Sequence, residues 1–540
     1  MASEASLRPT ATTVVIGSGI TACSLVNALL QKDPDADIVV CEARGLTSGA
    51  TGRNGGHLVS SAVADFSALQ ADFGTAVAVE VAAFTLANVE RMFEVVASGE
   101  LGPGAGEAGE LRRVDKVLAL RDAGAVGKLE ASLEAFEANM PERWKGQMRM
   151  VGKQELEEPG DDDNLDGEGP TCKLTRTANR LKKYKLRNVA GGAIGKGGAL
   201  WPYRLITRAW AHLLSQHPDR LRIETWTPVT SVDVATSSSA DATQQHPYLL
   251  TTPRGPIAAA EVVYCTNGHT GHLLPRLRQR QRPDGGPGGA ALFPLRGTMT
   301  VQDCGPSFPD EGARRTLSFY GSVKVVVPPP PPPPPNKNSS SSSSNNDDNN
   351  NDDDDPVFDL GLHYMQQNAA TGAVFIGGES ATAADMLNAD DSRASATSLA
   401  RLGGVLRAEF KDEVWSEEEV KEEEDGKKGQ QRRRRQPEVT SSWSGIMGFT
   451  ADGVPLVGRL PEAATGRRGG GGGGGGKGGE WIAAGFNGYG MGNCWLSGEA
   501  LAGMMRGEDV SGRLPECYLA TEERLASFQS RKAAERLFGC

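Results

Sequence analysis

The stretch from Val14 to Leu58 constrains this chain more than any other. Thr13-Val14-Val15-Ile16 is an apolar, β-branched run of the kind that forms a strand buried on both faces. Gly17-Ser18-Gly19-Ile20-Thr21-Ala22 follows without a gap. An apolar-periodic segment from Leu25 to Leu30 then reads as a helix, and Asp37-Ile38-Val39-Val40-Cys41-Glu42 as a second strand ending in an acid. Together they make a βαβ unit with a glycine-rich first turn. Such a turn suits a dinucleotide: Gly17 permits the sharp bend, Gly19 lets backbone approach a pyrophosphate, and Ala22 lets the helix pack closely on the strand. The helix N-terminus then offers free N–H groups and the positive end of its dipole to the phosphates. Glu42 stands where a carboxylate can accept hydrogen bonds from a ribose diol, and it disfavours a 2′-phosphate, because two negative charges would meet. Glycines kept for packing alone are the bland alternative. The strand before, the helix after and the acid at the end of the second strand weigh against it.

The next run is Ser48-Gly49-Ala50-Thr51-Gly52-Arg53-Asn54-Gly55-Gly56-His57. A nicotinamide cofactor has no general need for so many small residues here. A longer cofactor does, because backbone must lie close along a second phosphate, a ribityl chain and a ring. With Val14 to Thr21 and Glu42-Ala43-Arg44, this run resembles the FAD-dependent D-amino-acid-oxidase-like superfamily, and within it the glycine/sarcosine-oxidase-like and γ-glutamylputrescine-oxidase-like branch. The resemblance implies bound FAD and oxidation of a C–N bond. It implies a fold of α/β and α+β parts: a discontinuous Rossmann-like FAD-binding domain, and a substrate domain on a mixed or antiparallel sheet.

The same resemblance orders the rest of the chain. Residues 1–100 form the first FAD-binding part, 101–198 a substrate or cap segment with an acidic loop, and 199–275 the second FAD-binding part. Residues 290–440 form the substrate domain, 441–515 the third FAD-binding part, and 516–540 a C-terminal helix. Val229 lies in a strand similar to the one whose backbone meets the adenine. Thr266-Asn267-Gly268 looks like the family's turn after a flavin-domain strand. Trp443 to Gly458 and Gly485-Phe486-Asn487-Gly488-Tyr489-Gly490-Met491 resemble its closing motifs, with Tyr489 in place of a histidine. Two cofactor-facing motifs at opposite ends of the chain are hard to obtain by chance.

Three tracts interrupt this order. Residues 328–356 run through proline into Ser, Asn and Asp, 416–436 pass from an acidic block to a basic one, and 469–479 are nearly pure glycine. None can bury enough apolar surface to offset its ordering entropy, so all three are expected to be disordered insertions. A polyproline ligand and a basic patch at Arg432 to Arg435 are the sharper alternatives.

The chain has 540 residues and a formal net charge of -11. That length implies more than one domain, or one domain with insertions. The acidic balance argues against general nucleic-acid or anionic-membrane binding, and no apolar run approaches the ~20 residues that span a bilayer. Met1 to Ser6 lacks the basic and apolar regions of a secretory signal. The 8 cysteines include no Cys-x-x-Cys pair. A cytoplasmic location is the expectation.

Flavin-dependent amine oxidation asks the protein mainly for placement. Arg296, in Pro-Leu-Arg-Gly at the expected start of the substrate domain, is the motif-borne cation for a substrate anion or the flavin; a surface ion pair is its plain alternative. His57, Tyr203 and His363 are the other catalytic candidates, His57 foremost because it follows Gly55-Gly56. In glycine-oxidising relatives a carboxylate-gripping arginine lies where this chain has Met447, which puts an α-amino-acid substrate in doubt. The region near Gly377-Gly378-Glu379, matching the relatives' flavin-linking cysteine, has no cysteine, so FAD is expected to be non-covalent. The partners expected are a small amine or amino acid and oxygen. Another electron acceptor, or a flavin-binding regulatory protein without catalysis, are the alternatives.

Overall fold

The computed structural model describes residues 6–157, 184–234, 245–278, 290–308, 315–326, 355–424, 427–467, 478–528, 534, 535 and 537, with backbone alone for 326, 418–424 and 427–433. It contains two large sheets.

The first grows from the βαβ unit. Strand Thr10–Ile16 lies parallel to Ile38–Cys41 on one side and to Ile257–Tyr264 on the other, with Val14 opposite both Val39 and Val262. Gly479–Ala484 and Leu221–Glu224 extend it at either side, again parallel. Leu456–Arg459 closes one edge antiparallel. Val14, Val39 and Val262 enter one hydrophobic cluster, and Val15, Val40 and Val263 another. Alternate residues of each strand thus feed cores on opposite faces, which is why these strands read as unbroken apolar runs. Helices Ile20–Lys32, Pro202–Gln216 and Cys494–Met505 cover one of those faces.

The second sheet runs in the order Glu438–Thr450, Leu292–Asp303, Val374–Thr382, Val357–Gln367, Arg315–Tyr320, Arg112–Leu120, Gly191–Ala199, His57–Leu58. Along this path its pairings are antiparallel, except that Arg315–Tyr320 runs parallel to Arg112–Leu120. Helix Ala396–Glu409 seals one face, packing Leu402, Val405 and Leu406 on Val374 and Ile376. The chain passes repeatedly between the two sheets. The expected boundary at 441 falls inside strand Glu438–Thr450, which pairs with Leu292–Asp303 in the second sheet; the return to the first sheet comes at Leu456. Among the described residues no helix is long and apolar enough to cross a membrane.

Several local expectations change. The charged tract expected to be disordered forms a two-stranded antiparallel ribbon, Glu417–Glu424 with Lys427–Arg434, whose register sets an acidic strand against a basic one. Gly191–Ala199, rich in glycine, is a central strand. Glycine is poor in strands, but a Cβ on Gly192 would run into the Leu118 carbonyl and one on Gly198 into Phe93 and Leu58. Helix Ala396–Glu409 is capped by Ser395, whose hydroxyl accepts from the Ser398 N–H at 3.3 Å. Within the segment 516–540, Glu522–Ser527 is helical, and 529–533, 536 and 538–540 lie outside the described residues. The acidic loop at 160–169 and the tracts 328–354 and 469–477 lie outside the described residues.

Candidate active site

A cavity of about 870 Å³ opens between the C-terminal ends of the first sheet's parallel strands and the uncovered face of the second. At one end lies the glycine turn. Gly17 has φ +103°, and a Cβ there would stand 2.6 Å from the Cys265 carbonyl oxygen, so no other residue fits without moving backbone. A Cβ on Gly19 would stand 3.0 Å from Thr51 Oγ1, which already accepts from the Ile20 N–H at 3.0 Å. Gly17, Gly19, Ile20 and Thr21 all border the cavity where helix Ile20–Lys32 begins. Glu42 borders it too. One carboxylate oxygen accepts from Ser18 Oγ at 2.7 Å and the Ser18 N–H at 3.2 Å, the other from the Arg44 N–H at 3.0 Å. The carboxylate is thus held in place with acceptor capacity left over. Ala43, Arg44 and Val229 line the same end.

The small-residue run divides between wall and support. Gly49, Ala50, Thr51, Asn54, Gly55 and His57 line the cavity. Ser48, Arg53 and Gly56 stand behind it. Arg53 donates to the carbonyls of Ser48 and Ser444, each at 2.8 Å, and the Trp443 indole donates to the Arg53 carbonyl at 2.7 Å, tying the run to the second sheet. The two distant turns are likewise joined. Thr266, Asn267, Asn487, Gly488, Tyr489, Gly490 and Met491 line the cavity, whereas Gly268 and Gly485 do not. Asn267 accepts from the Gly485 N–H at 3.0 Å, and Asn487 donates to the Gly485 carbonyl at 2.7 Å. Both asparagines have positive φ, 45° and 50°, which their side-chain hydrogen bonds help to hold.

The other end is framed by the second sheet. The His57 ring donor or acceptor Nδ1 meets Thr316 Oγ1, and its edge meets the Tyr364 ring with centroids 5.5 Å apart. Burial, helped by the Lys116 ammonium, lowers the imidazole to about 4, so it is neutral at pH 7. Its Nε2 is buried without a hydrogen-bond partner among the described residues. Tyr320 and Tyr489 hydroxyls lie 3.2 Å apart. Burial raises Tyr320 to about 12, and the Tyr320 neighbour together with burial raises Tyr489, so both stay protonated. Glu379, another lining residue, accepts from Ser398 Oγ at 2.8 Å and from the Thr298 N–H. Burial raises it to about 7.

Three catalytic candidates lie elsewhere. Leu295 and Gly297 line the cavity, so Arg296 between them points through the sheet to the far side. There, 2% exposed, it pairs with Asp385 and donates to the Asp390 carbonyl at 3.3 Å. His363 is in the same position between Leu362 and Tyr364; it is 1% exposed and bonded through Nδ1 to Arg121 at 3.0 Å. Tyr203 is 44% exposed in the first turn of its helix, outside the cavity. Lys116, Tyr364 and Glu379 were not singled out from sequence. Lys116 had a signal: a lysine inside the apolar strand Val114 to Leu120 must find a polar destination.

A mononucleotide would need only the first end of this cavity. Its extent fits FAD, as do the glycine positions a Cβ would fill and the unpartnered His57 Nε2 beyond them. Solved structures share the architecture. Glycine oxidase from Geobacillus kaustophilus superposes with a TM-score of 0.57 at 15% identity, covering 95% of this chain and 99% of that one. L-proline dehydrogenase from P. horikoshii gives 0.56 at 14%, covering 95% and 98%. L-amino acid deaminase from Proteus vulgaris, with its specific insertion deleted, gives 0.54 at 13%, covering 96% of each. No curated protein matches the chain in sequence. The sequence model of the FAD dependent oxidoreductase family does match, over residues 12–504, and the chain belongs to that family.

Proposed function

We propose that this flavoenzyme oxidises the C–N bond of an amine or amino acid, with hydride transfer to non-covalently held FAD and oxygen as the final acceptor. The observation that carries the reading is a single cavity with nucleotide-type turns at one end and a desolvated, neutral His57 among tyrosine hydroxyls at the other. The structural neighbours are named for glycine, L-proline and L-amino acid substrates, which supports the same class here. Bound FAD supplies the two-electron acceptor. The protein's own part is to orient the amine and keep it uncharged. In the tautomer that donates from Nδ1 to Thr316, His57 Nε2 is an acceptor that can hold an amine N–H. One hydroxyl of the Tyr320–Tyr489 pair donates to the other, which leaves one O–H as a donor for a polar substituent, and Val59, Leu362, Met447 and Phe449 exclude water. Met447 lines the wall with a thioether, which cannot pair with a carboxylate. The cysteines at the cavity support non-covalent FAD: burial raises Cys41 and Cys494 to about 12 and Cys265 higher, leaving thiols rather than reactive thiolates.

The test is a panel of amines and amino acids added anaerobically to the purified protein. One or more should bleach the flavin absorbance, and admitting oxygen should restore the colour with release of peroxide. A flavin that no amine reduces would overturn the substrate class. A reduced flavin that persists in oxygen would overturn the acceptor.

A further inference from the structure

The far end of the cavity holds a buried positive charge. Lys116 is 5% exposed and lines the cavity from strand Arg112–Leu120. Its register partner in the neighbouring strand is Thr316, and the next residues on that face, Ser318 and Tyr320, line the cavity beside it. The ammonium donates to the Ser60 carbonyl at 2.7 Å. Asp65 favours its charged form but makes no ion pair with it, and burial lowers it to about 8. An ammonium has three donors. Among the described residues no carboxylate comes within ion-pair distance of this buried cation, and an anion placed against it reduces the cost of burying the charge.

The other cationic side chain on the cavity wall, Arg44, belongs to the opposite end. It follows Glu42 and is bonded to Asp391 at 2.7 Å. Arg296, which the sequence offered for a substrate anion, faces away and is paired with Asp385. Val59 stands beside Lys116 and Thr316 opposite it, and the same face continues through Ser318 and Tyr320 toward Leu362 and the Tyr320–Tyr489 pair. The low polarity of this buried wall strengthens the attraction of an anion to the ammonium.

We infer that Lys116 is the specificity-determining cation of this site: it receives a carboxylate of the substrate, which is therefore an amine bearing an acidic group on an apolar frame and not a simple amine. This rests on the amine-oxidation reading of the cavity. A charge-assisted hydrogen bond of this kind should favour a carboxylate over its neutral amide about tenfold or more.

The probes are cyclohexanecarboxylate and cyclohexanecarboxamide, matched in shape and different in charge. Their binding to the flavin-loaded protein is measured by calorimetry at pH 7, with FAD content determined on the same sample. The wild type should bind the carboxylate about tenfold or more tightly than the amide. Lys116→Met should abolish that preference at unchanged FAD content, and Lys116→Arg should retain it. Equal binding of the two probes by the wild type would overturn the inference, whether or not the variants fold. A preference that survives in Lys116→Met would overturn it as well. Absence of FAD from the protein would instead strike the functional reading, which the two probes leave untouched.

Discussion

Glu379 offers a quantitative check on the electrostatics of the cavity wall. Its carboxyl is buried, and burial outweighs the hydrogen bonds from Ser398 and Thr298 and the attraction of Arg296, lifting it from an ordinary 4.5 to about 7. A raised acid means that the folded protein holds the proton more tightly than the unfolded chain. Stability is therefore greatest below the unfolded value and falls as pH climbs through the interval from 4.5 to about 7. The difference, multiplied by ~1.4 kcal/mol per pH unit, amounts to about 3 kcal/mol. Glu379→Gln removes the titration and can keep the contacts. Its amide oxygen accepts from the Thr298 N–H, and its NH2 donates to Ser398 Oγ, which in turn donates to the Ser380 carbonyl at 3.2 Å. Urea unfolding of parent and variant across pH 4.5 to 8 tests this. The variant should gain on the parent by about 3 kcal/mol over that range, the change centred between pH 5 and 7. Parallel pH profiles would show that the carboxylate is stabilised where it sits, and the reasoning about burial would be refuted.

Three further outcomes are expected. The purified protein should be yellow and should release FAD into the supernatant on denaturation; flavin retained by the precipitate would refute non-covalent binding. Glu42→Ala leaves the Ser18 hydroxyl and N–H and the Arg44 N–H without their shared acceptor, and FAD affinity measured by fluorescence titration should fall by about 1–3 kcal/mol. Arg296→Met breaks the pair between the buried guanidinium and the partly exposed Asp385 on the far side of the sheet. It should lower the urea midpoint while leaving KM for the best amine of the panel unchanged, and a KM raised tenfold at unchanged stability would return Arg296 to the substrate.

The glycine-turn end of the cavity was legible in the sequence because its structure is local. Gly17, Gly19 and Glu42 act through backbone conformation and short-range hydrogen bonds, and a strand, turn and helix adjacent in sequence place them. The apolar strands Val14-Val15-Ile16 and Val262-Val263-Tyr264 were legible for a related reason: burial on both faces leaves no alternation to misread. The opposite end of the cavity was decided by the tertiary structure. Whether Arg296 and His363 face the cavity or its far side is a matter of strand register, and a shift of one residue reverses it. Neither residue type carries that parity in the sequence. Lys116, Tyr320, His57 and Tyr489 come from four separate segments, and only the pairing of Arg112–Leu120 with Arg315–Tyr320 and the return of the last turn onto the cavity bring them together. The ribbon at Glu417–Arg434 makes the same point from the opposite side. Composition alone argued for disorder there, whereas an acidic strand set against a basic one is an interaction that no single-strand propensity contains.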